Sequence, residues 1–272
     1  MTRVIVFGPI SWDSIITIDE YPDNGGFAQG ISRVERAGGT GLNIAAALAS
    51  ASVEIELHSY IGTDIYGDKL RNQIKQLDVP SSHIHEVPGP SLHAFITIDG
   101  SGERTVFAME KNRFPEITLM NEFSENQIVV FPIWRDFYLP HLERANQAGA
   151  KTVVGVGAIL NQTVTASIMI GSEKDAFDFD IDLHRFPITI VTRGAEGVLV
   201  HTPERSFEVP VIKVKAEDAT GAGDTFLSGF LVGLSRESTL ESAVRIGINW
   251  AAAAITKQSS IPPMWQEDFN VS

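Results

Sequence analysis

The 272-residue chain contains no cysteine, which removes disulfides, thiolate nucleophiles and cysteine-ligated zinc together. It is also poor in basic charge: 21 Lys and Arg stand against 34 Asp and Glu, a formal net charge of -13. Such a balance excludes a general nucleic-acid surface or an anionic membrane surface, because nothing offsets phosphate repulsion, and any anionic ligand must be held locally. Long apolar runs are missing as well. None approaches the ~18 residues of a membrane span, and Val4–Phe7 is far shorter than the ~7–15 residues of a signal-peptide core. A cytoplasmic enzyme is expected, so that Asn161-Gln162-Thr163 matches a glycosylation sequon only by accident. No Gly-x-x-x-x-Gly-Lys phosphate loop and no Gly-x-Ser-x-Gly nucleophile elbow occurs. The one histidine cluster, His83-Ile84-His85-Glu86, lacks the two-turn helical spacing of a zinc site and reads as surface loop.

What is present is an alternation of strand and helix. Apolar, β-rich runs recur at Val4–Phe7, Ile55–Ile61, Ile128–Phe131, Thr152–Val156, Ile188–Thr192 and Gly197–His201. Between and after them lie helical patterns at Leu42–Ala51, Tyr66–Leu77, Leu139–Ala148, Ala222–Leu234 and Leu240–Ile255, the last with a small-residue run, Ala251–Ala254, suited to close packing. This order predicts an α/β fold: a mostly parallel central sheet with helices on both faces, in a single domain over residues 1–272. Two regions break the rhythm. Polar and apolar residues alternate in Ser14–Ile18 and Gly30–Arg36, and again in His93–Ile98 and Thr105–Met109, where Asp99-Gly100 supplies a turn. These pieces, within residues 14–36 and 93–109, are expected to form a small projecting β-sheet, a lid. The segment from Gly155 to Asp175 shows no clear helix.

The most informative stretch is Asp218-Ala219-Thr220-Gly221-Ala222-Gly223-Asp224-Thr225-Phe226, which follows the alternating Val209–Val214 and opens a helix. Glycines at a helix start free backbone N–H groups for an anion, strengthened by the positive end of the helix dipole. A phosphoryl group in transfer needs such a fixed donor array. Asp224, in the first turn, is placed to take the proton of an attacking hydroxyl. An Asp at that position also suits plain helix capping. At the other end of the chain, Ala37-Gly38-Gly39-Thr40-Gly41-Leu42-Asn43-Ile44-Ala45 is a glycine-rich loop leading into an alanine-rich helix. Its backbone can approach a polyol closely, and the Asn43 amide offers both donor and acceptor. It is no dinucleotide fingerprint, because Ile44 stands where Gly or Ala is required.

These two segments resemble the C-terminal and N-terminal signatures of the phosphofructokinase-B, or ribokinase-like, carbohydrate kinases. The resemblance runs from about Val4 to Ile255. It implies an anion hole formed by Gly221, Ala222 and Gly223 and a catalytic base in Asp224. It implies a sugar site of Asp13, Gly38, Gly39 and Asn43, with Asp13 binding paired hydroxyls. It also implies nucleotide contacts at Thr192, Gly194, Gly197 and Thr220, and an adenine-lining residue in Asn249. ATP and Mg2+ are the implied cofactors, with K+ as a candidate monovalent cation, and a homodimer joined through the lid is the implied assembly.

One motif departs from the family. Its Asn-x-x-Glu, which organises magnesium and water, corresponds to Ser172-Glu173-Lys174-Asp175, so that Glu173 and Asp175 are expected to support Mg2+ indirectly. The function read from the chain is therefore ATP-dependent phosphorylation of a hydroxyl on a small sugar or sugar derivative. A nucleoside kinase of the same family, with Phe27, Phe95 or Phe107 as a platform for the base, stays open. So does a non-catalytic sugar-binding protein on the same fold.

Overall fold

Residues 4–7 have no solvent exposure at all, the condition of a strand covered on both faces. They belong to β1 (Arg3–Phe7), the hub of a nine-stranded sheet in the computed structural model, which describes residues 2–100, 102, 104–109, 122–174, 182, 184–212, 214, 221–256 and 262–270. β4 (Ile55–Gly62) and β5 (Ile84–Val87) extend the sheet on one side of β1. β8 (Gln127–Phe131), β9 (Lys151–Gly155), β10 (Ile168–Ser172) and β11 (Ile188–Thr192) follow on the other, all parallel. β12 (Val198–His201) and β13 (Ser206–Val209) close that edge as antiparallel strands.

The two-residue period of β1 sorts its side chains between two cores. Val4 and Val6 join one with α1 (Thr40–Ser50), α2 (Ile65–Gln76), α4 (Ala222–Ser235) and α5 (Leu240–Ala254). Ile5 and Phe7 join the other, with Phe131 of β8 and with Tyr138 and Leu142 of the segment leading into and forming α3 (Leu139–Gln147). α4 and α5 touch where side chains are smallest: a Cβ on Gly229 would lie 2.7 Å from the Gly247 Cα, and one on Gly233 2.6 Å from the Ala243 Cα. In the Ala251–Ala254 run, Ala254 is buried and Ala251 and Ala253 pack partly buried against the same core.

A second, four-stranded sheet has the order β3-β2-β6-β7, with β2 (Ser11–Thr17), β3 (Ser32–Gly38), β6 (His93–Ile98) and β7 (Arg104–Ala108). β2 pairs antiparallel with β3 and parallel with β6, and β6 pairs antiparallel with β7. It begins earlier than the alternation suggests, at Ser11, four residues beyond β1. The segment from Gly155, which shows no clear helix in the sequence, contains among its described residues a 3-10 turn at Val156–Leu160 and the strand β10, too short to show a period. Two other readings need correcting. The alternation expected across Val209–Val214 stops at Val209, because Pro210 has no N–H for a ladder. His85 lies in the edge strand β5 rather than a loop, and His83 packs against His58. Among the described residues, no helix is long and apolar enough to cross a membrane.

Candidate active site

β1 pairs with β4 on one side and β8 on the other, so neighbouring connections diverge at its carboxyl end, where open α/β sheets leave a crevice. The chain leaves β1 there through Gly8, and α1 begins against it. A Cβ on Gly41 would stand 2.5 Å from the Gly8 carbonyl carbon, so only glycine lets the helix start rest on that loop. Gly39 precedes α1 at φ +91°, in the left-handed region, with Pro9 O 2.6 Å from where its Cβ would be. Gly38 serves a different purpose. Its missing Cβ would lie 2.0 Å from Oδ2 of Asp13, so the glycine makes room for that carboxylate.

Asp13 is buried and accepts a hydrogen bond from Ser11 Oγ at 2.6 Å. Burial raises its pKa, opposed by the Ser11 bond and by the charges of Arg36 and His93. Across the crevice α4 begins at Gly221, whose φ of 78° is again left-handed. The Gly221 carbonyl accepts from both Thr225 N and Thr225 Oγ1 at 2.8 Å, which fixes the first turn and Asp224 within it. A Cβ on Gly223 would meet nothing within 4 Å. Packing therefore does not require glycine there, but a side chain would enter the space beside Asp224.

Asp224 Oδ2 accepts from Asn43 Nδ2 at 2.8 Å, a contact spanning 181 positions of sequence. Burial raises the Asp224 pKa. Hydrogen bonds from Asn43 and Thr40 and the charge of Arg104 oppose this, while the Asp13 charge adds to it. Asn43 Oδ1 is buried and finds no partner. A buried, unpaired acceptor is costly unless a ligand or water donates to it.

These groups surround one cavity of about 230 Å³. β2 contributes Ser11 and Asp13; the start of α1 contributes Gly39, Thr40 and Asn43; the start of α4 contributes Gly221, Gly223 and Asp224. The smaller sheet walls it with Ala94, Ile96, Arg104 and Val106. Two acids, glycine-lined backbone and one guanidinium thus meet in a space the size of a small polyol. Sequence reasoning did not find Ser11, Thr40 or the four wall residues. Ser11 and Thr40 stand next to residues it did single out, whereas nothing in an exposed hairpin marks Arg104.

The other residues singled out from sequence do not line this cavity. Ala222 lies in the first turn of α4 between two that do, and Gly38 sits behind Asp13. Thr192 ends β11 in register with Ser172 at the end of β10, and its Oγ1 donates to Gly171 O at 3.5 Å. Gly194 has φ +54° with open space around it, whereas a Cβ on Gly197 would strike Val209 O at 2.6 Å. Asn249, on α5, donates to Phe269 O at 3.4 Å. Glu173 follows β10 directly and is partly buried. Thr220, Asp175 and Asp218 lie outside the described residues.

A doubly wound sheet with a small sheet over its crevice, and an aspartate in the first turn of a glycine-started helix, define the ribokinase-like class of phosphotransferase folds. The chain belongs to the pfkB family of carbohydrate kinases, whose pattern it matches over residues 1–132 and 183–267. The intervening stretch holds the altered Ser172–Asp175 segment. Curated relatives include a cytidine kinase of Thermococcus kodakarensis, 28% identical, with 94% of this chain and 97% of that protein covered. A ribokinase of Haemophilus influenzae is 27% identical, with 94% of each covered. Among solved structures, the nucleoside kinase of Methanocaldococcus jannaschii superposes with a TM-score of 0.82 at 22% identity over 97% of this chain and 96% of that one. The Arabidopsis thaliana ribokinase complexed with ribose and ATP gives 0.81 at 18% identity over 99% and 97%.

Proposed function

We propose that the chain is an ATP-dependent kinase that transfers the γ-phosphoryl group to a hydroxyl of a small sugar or sugar derivative. The observation that carries this reading is the shared cavity, in which Asp224, at the glycine-rich start of α4, faces the same space as Asp13. Asp13 and the backbone at Gly39 hold the sugar hydroxyls, with Asn43 Oδ1 accepting from one of them. Asp224 takes the proton of the reacting hydroxyl, whose oxygen forms the new bond to the γ-phosphorus as the bond to the ADP oxygen breaks. Backbone N–H groups at Gly221, Ala222 and Gly223 meet the charge on the transferring oxygens. Hydrogen bonds from Asn43 and Thr40 favour the ionised form of Asp224 against burial, which raises its pKa.

Ser172, Glu173 and Thr192 offer only oxygen donors where β10 and β11 end, the chemistry magnesium accepts, with Asp175 next along the chain. Mg2+ held there through water would neutralise charge on the nucleotide phosphates. We place the nucleotide along this edge, with Thr192, Gly194, Gly197 and Thr220 toward its phosphates and ribose and Asn249 toward its base. Dependence on K+ belongs to the same reading. The whole chain is taken as one cytoplasmic catalytic domain.

Of the three candidate platforms for a nucleoside base, Phe27 is 87% exposed and does not line the cavity, and the other two face away from it. Ala94 and Ile96 face the cavity, as do Arg104 and Val106, so the intervening Phe95 and Phe107 point to the opposite face of the smaller sheet. That outer face suits a homodimer instead. Of the apolar residues offered for it, Ile18 and Ile96 are buried within the chain and Ile16 and Ile98 are partly buried, while Phe95 and Phe107 are 38% and 54% exposed.

The test is ADP release by purified protein against sugars, sugar acids and nucleosides. A sugar or sugar acid is expected to be the preferred acceptor. Calorimetry that detects sugar binding but neither ATP nor Mg-ATP binding would replace the kinase reading with the non-catalytic one.

A further inference from the structure

We propose that Glu56, His58 and His83 form a binding site for a divalent transition-metal ion of the zinc class, separate from the substrate cavity. Glu56 and His58 are two positions apart on β4 and so face the same side of the sheet. His83 immediately precedes β5, and its carbonyl accepts from Ser59 N at 3.2 Å, which fixes its backbone beside β4. Glu56 Oε1 lies 2.6 Å from His58 Nε2 and 3.5 Å from His83 Nε2. One ligand atom from each residue falls within 4.8 Å of the others, and this is the one such group among the described residues.

Two imidazole nitrogens and a carboxylate oxygen are a ligand set that zinc accepts, with a fourth position left for water. Imidazole ligands favour Zn2+, Co2+, Ni2+ or Cu2+ over Mg2+, which prefers oxygen alone. Access is provided from one side only. The side chains of His58 and Glu56 are 3% and 12% exposed, while that of His83 is 41% exposed at the rim. Phe7 stacks on His58 with centroids 4.6 Å apart and holds that ring in place, so the exposed His83 ring is the one that turns inward to close the site.

Two features limit affinity. When His58 Nε2 binds the ion its proton resides on Nδ1, which is buried without a partner. The Arg3 guanidinium also stands 3.6 Å from the other Glu56 oxygen. The ion would clip the start of an edge strand to its neighbour, closing the loop that contains α2.

The experiment uses the untagged full chain with ZnCl2 in calorimetry, Co2+ absorption for tetrahedral geometry, and thermal melting. One Zn2+ per chain and a raised Tm are expected, with MgCl2 giving neither. His83→Ala, at an exposed position, should weaken Zn2+ binding by roughly tenfold or more and cancel the rise in Tm, as should Glu56→Gln. Asp224→Asn should leave Zn2+ binding unchanged. Absence of saturable binding would overturn the proposal. So would unchanged affinity in folded His83→Ala and His83→Gln, or loss of Zn2+ binding on Asp224→Asn.

Discussion

The two sheets meet water in opposite ways. Strand β1 of the large sheet is sealed from Val4 to Phe7, whereas every residue of β7 in the smaller sheet is exposed. The chemistry divides along the same line. Asp224, Asn43 and Thr40 stand on helices packed against the sealed sheet, while the cavity wall of Ala94, Ile96, Arg104 and Val106 belongs to the exposed one. Asp13 stands at the junction: it lies on a strand of the smaller sheet, yet its carboxylate is buried beside Gly38. A group that must keep one orientation and one charge state is thus fixed by the deep core. The side chains that complete the cavity wall come from the sheet with little core of its own.

The largest effect that would sharpen this contrast is on stability. Phe131, buried in β8 and stacked on Phe7 at 4.9 Å, should cost about 3–5 kcal/mol when replaced by alanine. Urea denaturation measures it. Next comes the acid dependence of the sealed side. His58 is held neutral by burial, its pKa lowered from 6.5 to about 4 against the pull of Glu56. Below pH 6.5 the unfolded chain takes up a proton that the folded one refuses. Stability therefore falls as pH drops from 6.5 toward 4, by up to roughly 3 kcal/mol, and His58→Gln should flatten that slope.

A smaller effect concerns the proposed base, Asp224. Asn43→Ala removes a hydrogen bond that favours ionised Asp224, so the pKa of Asp224 rises further above the ordinary carboxylate value. The acid limb of the kcat/KM profile should then move to higher pH, and an unmoved limb would mean that the Asn43 bond does not set the charge of the base. The smallest effect is Phe107→Ala in β7, expected to change stability by less than about 0.5 kcal/mol. Equal losses for Phe131→Ala and Phe107→Ala would erase the contrast between the sheets. Sedimentation of Phe107→Ala reads the outer face separately, where a dimer should weaken.

The deep sheet was the most legible part of the sequence, because parallel strands buried on both faces print unbroken apolar runs such as Val4–Phe7. Strands without that pressure escaped notice. β5 has four residues, two of them His85 and Glu86, and β10 ends in Gly171 and Ser172. At the site, turns written by local chemistry were readable: glycines at 39, 221 and 223, and acids beside them. The bond between Asn43 and Asp224 was not, since it exists only once helices 181 residues apart pack on one sheet. Asn43 was read as a sugar ligand, and in the fold its amide nitrogen donates to Asp224.

In the proposed mechanism Asp224, oriented by Asn43 beside the glycine turn, is the base for phosphoryl transfer. Replacing it by asparagine keeps shape and removes basicity. Steady-state turnover of Asp224→Asn, with calorimetry of ATP and of the preferred acceptor on the same preparation, tests this directly. Turnover should fall by ~10²–10⁴-fold with both affinities retained. Near-normal kcat in a variant that binds both ligands would contradict it.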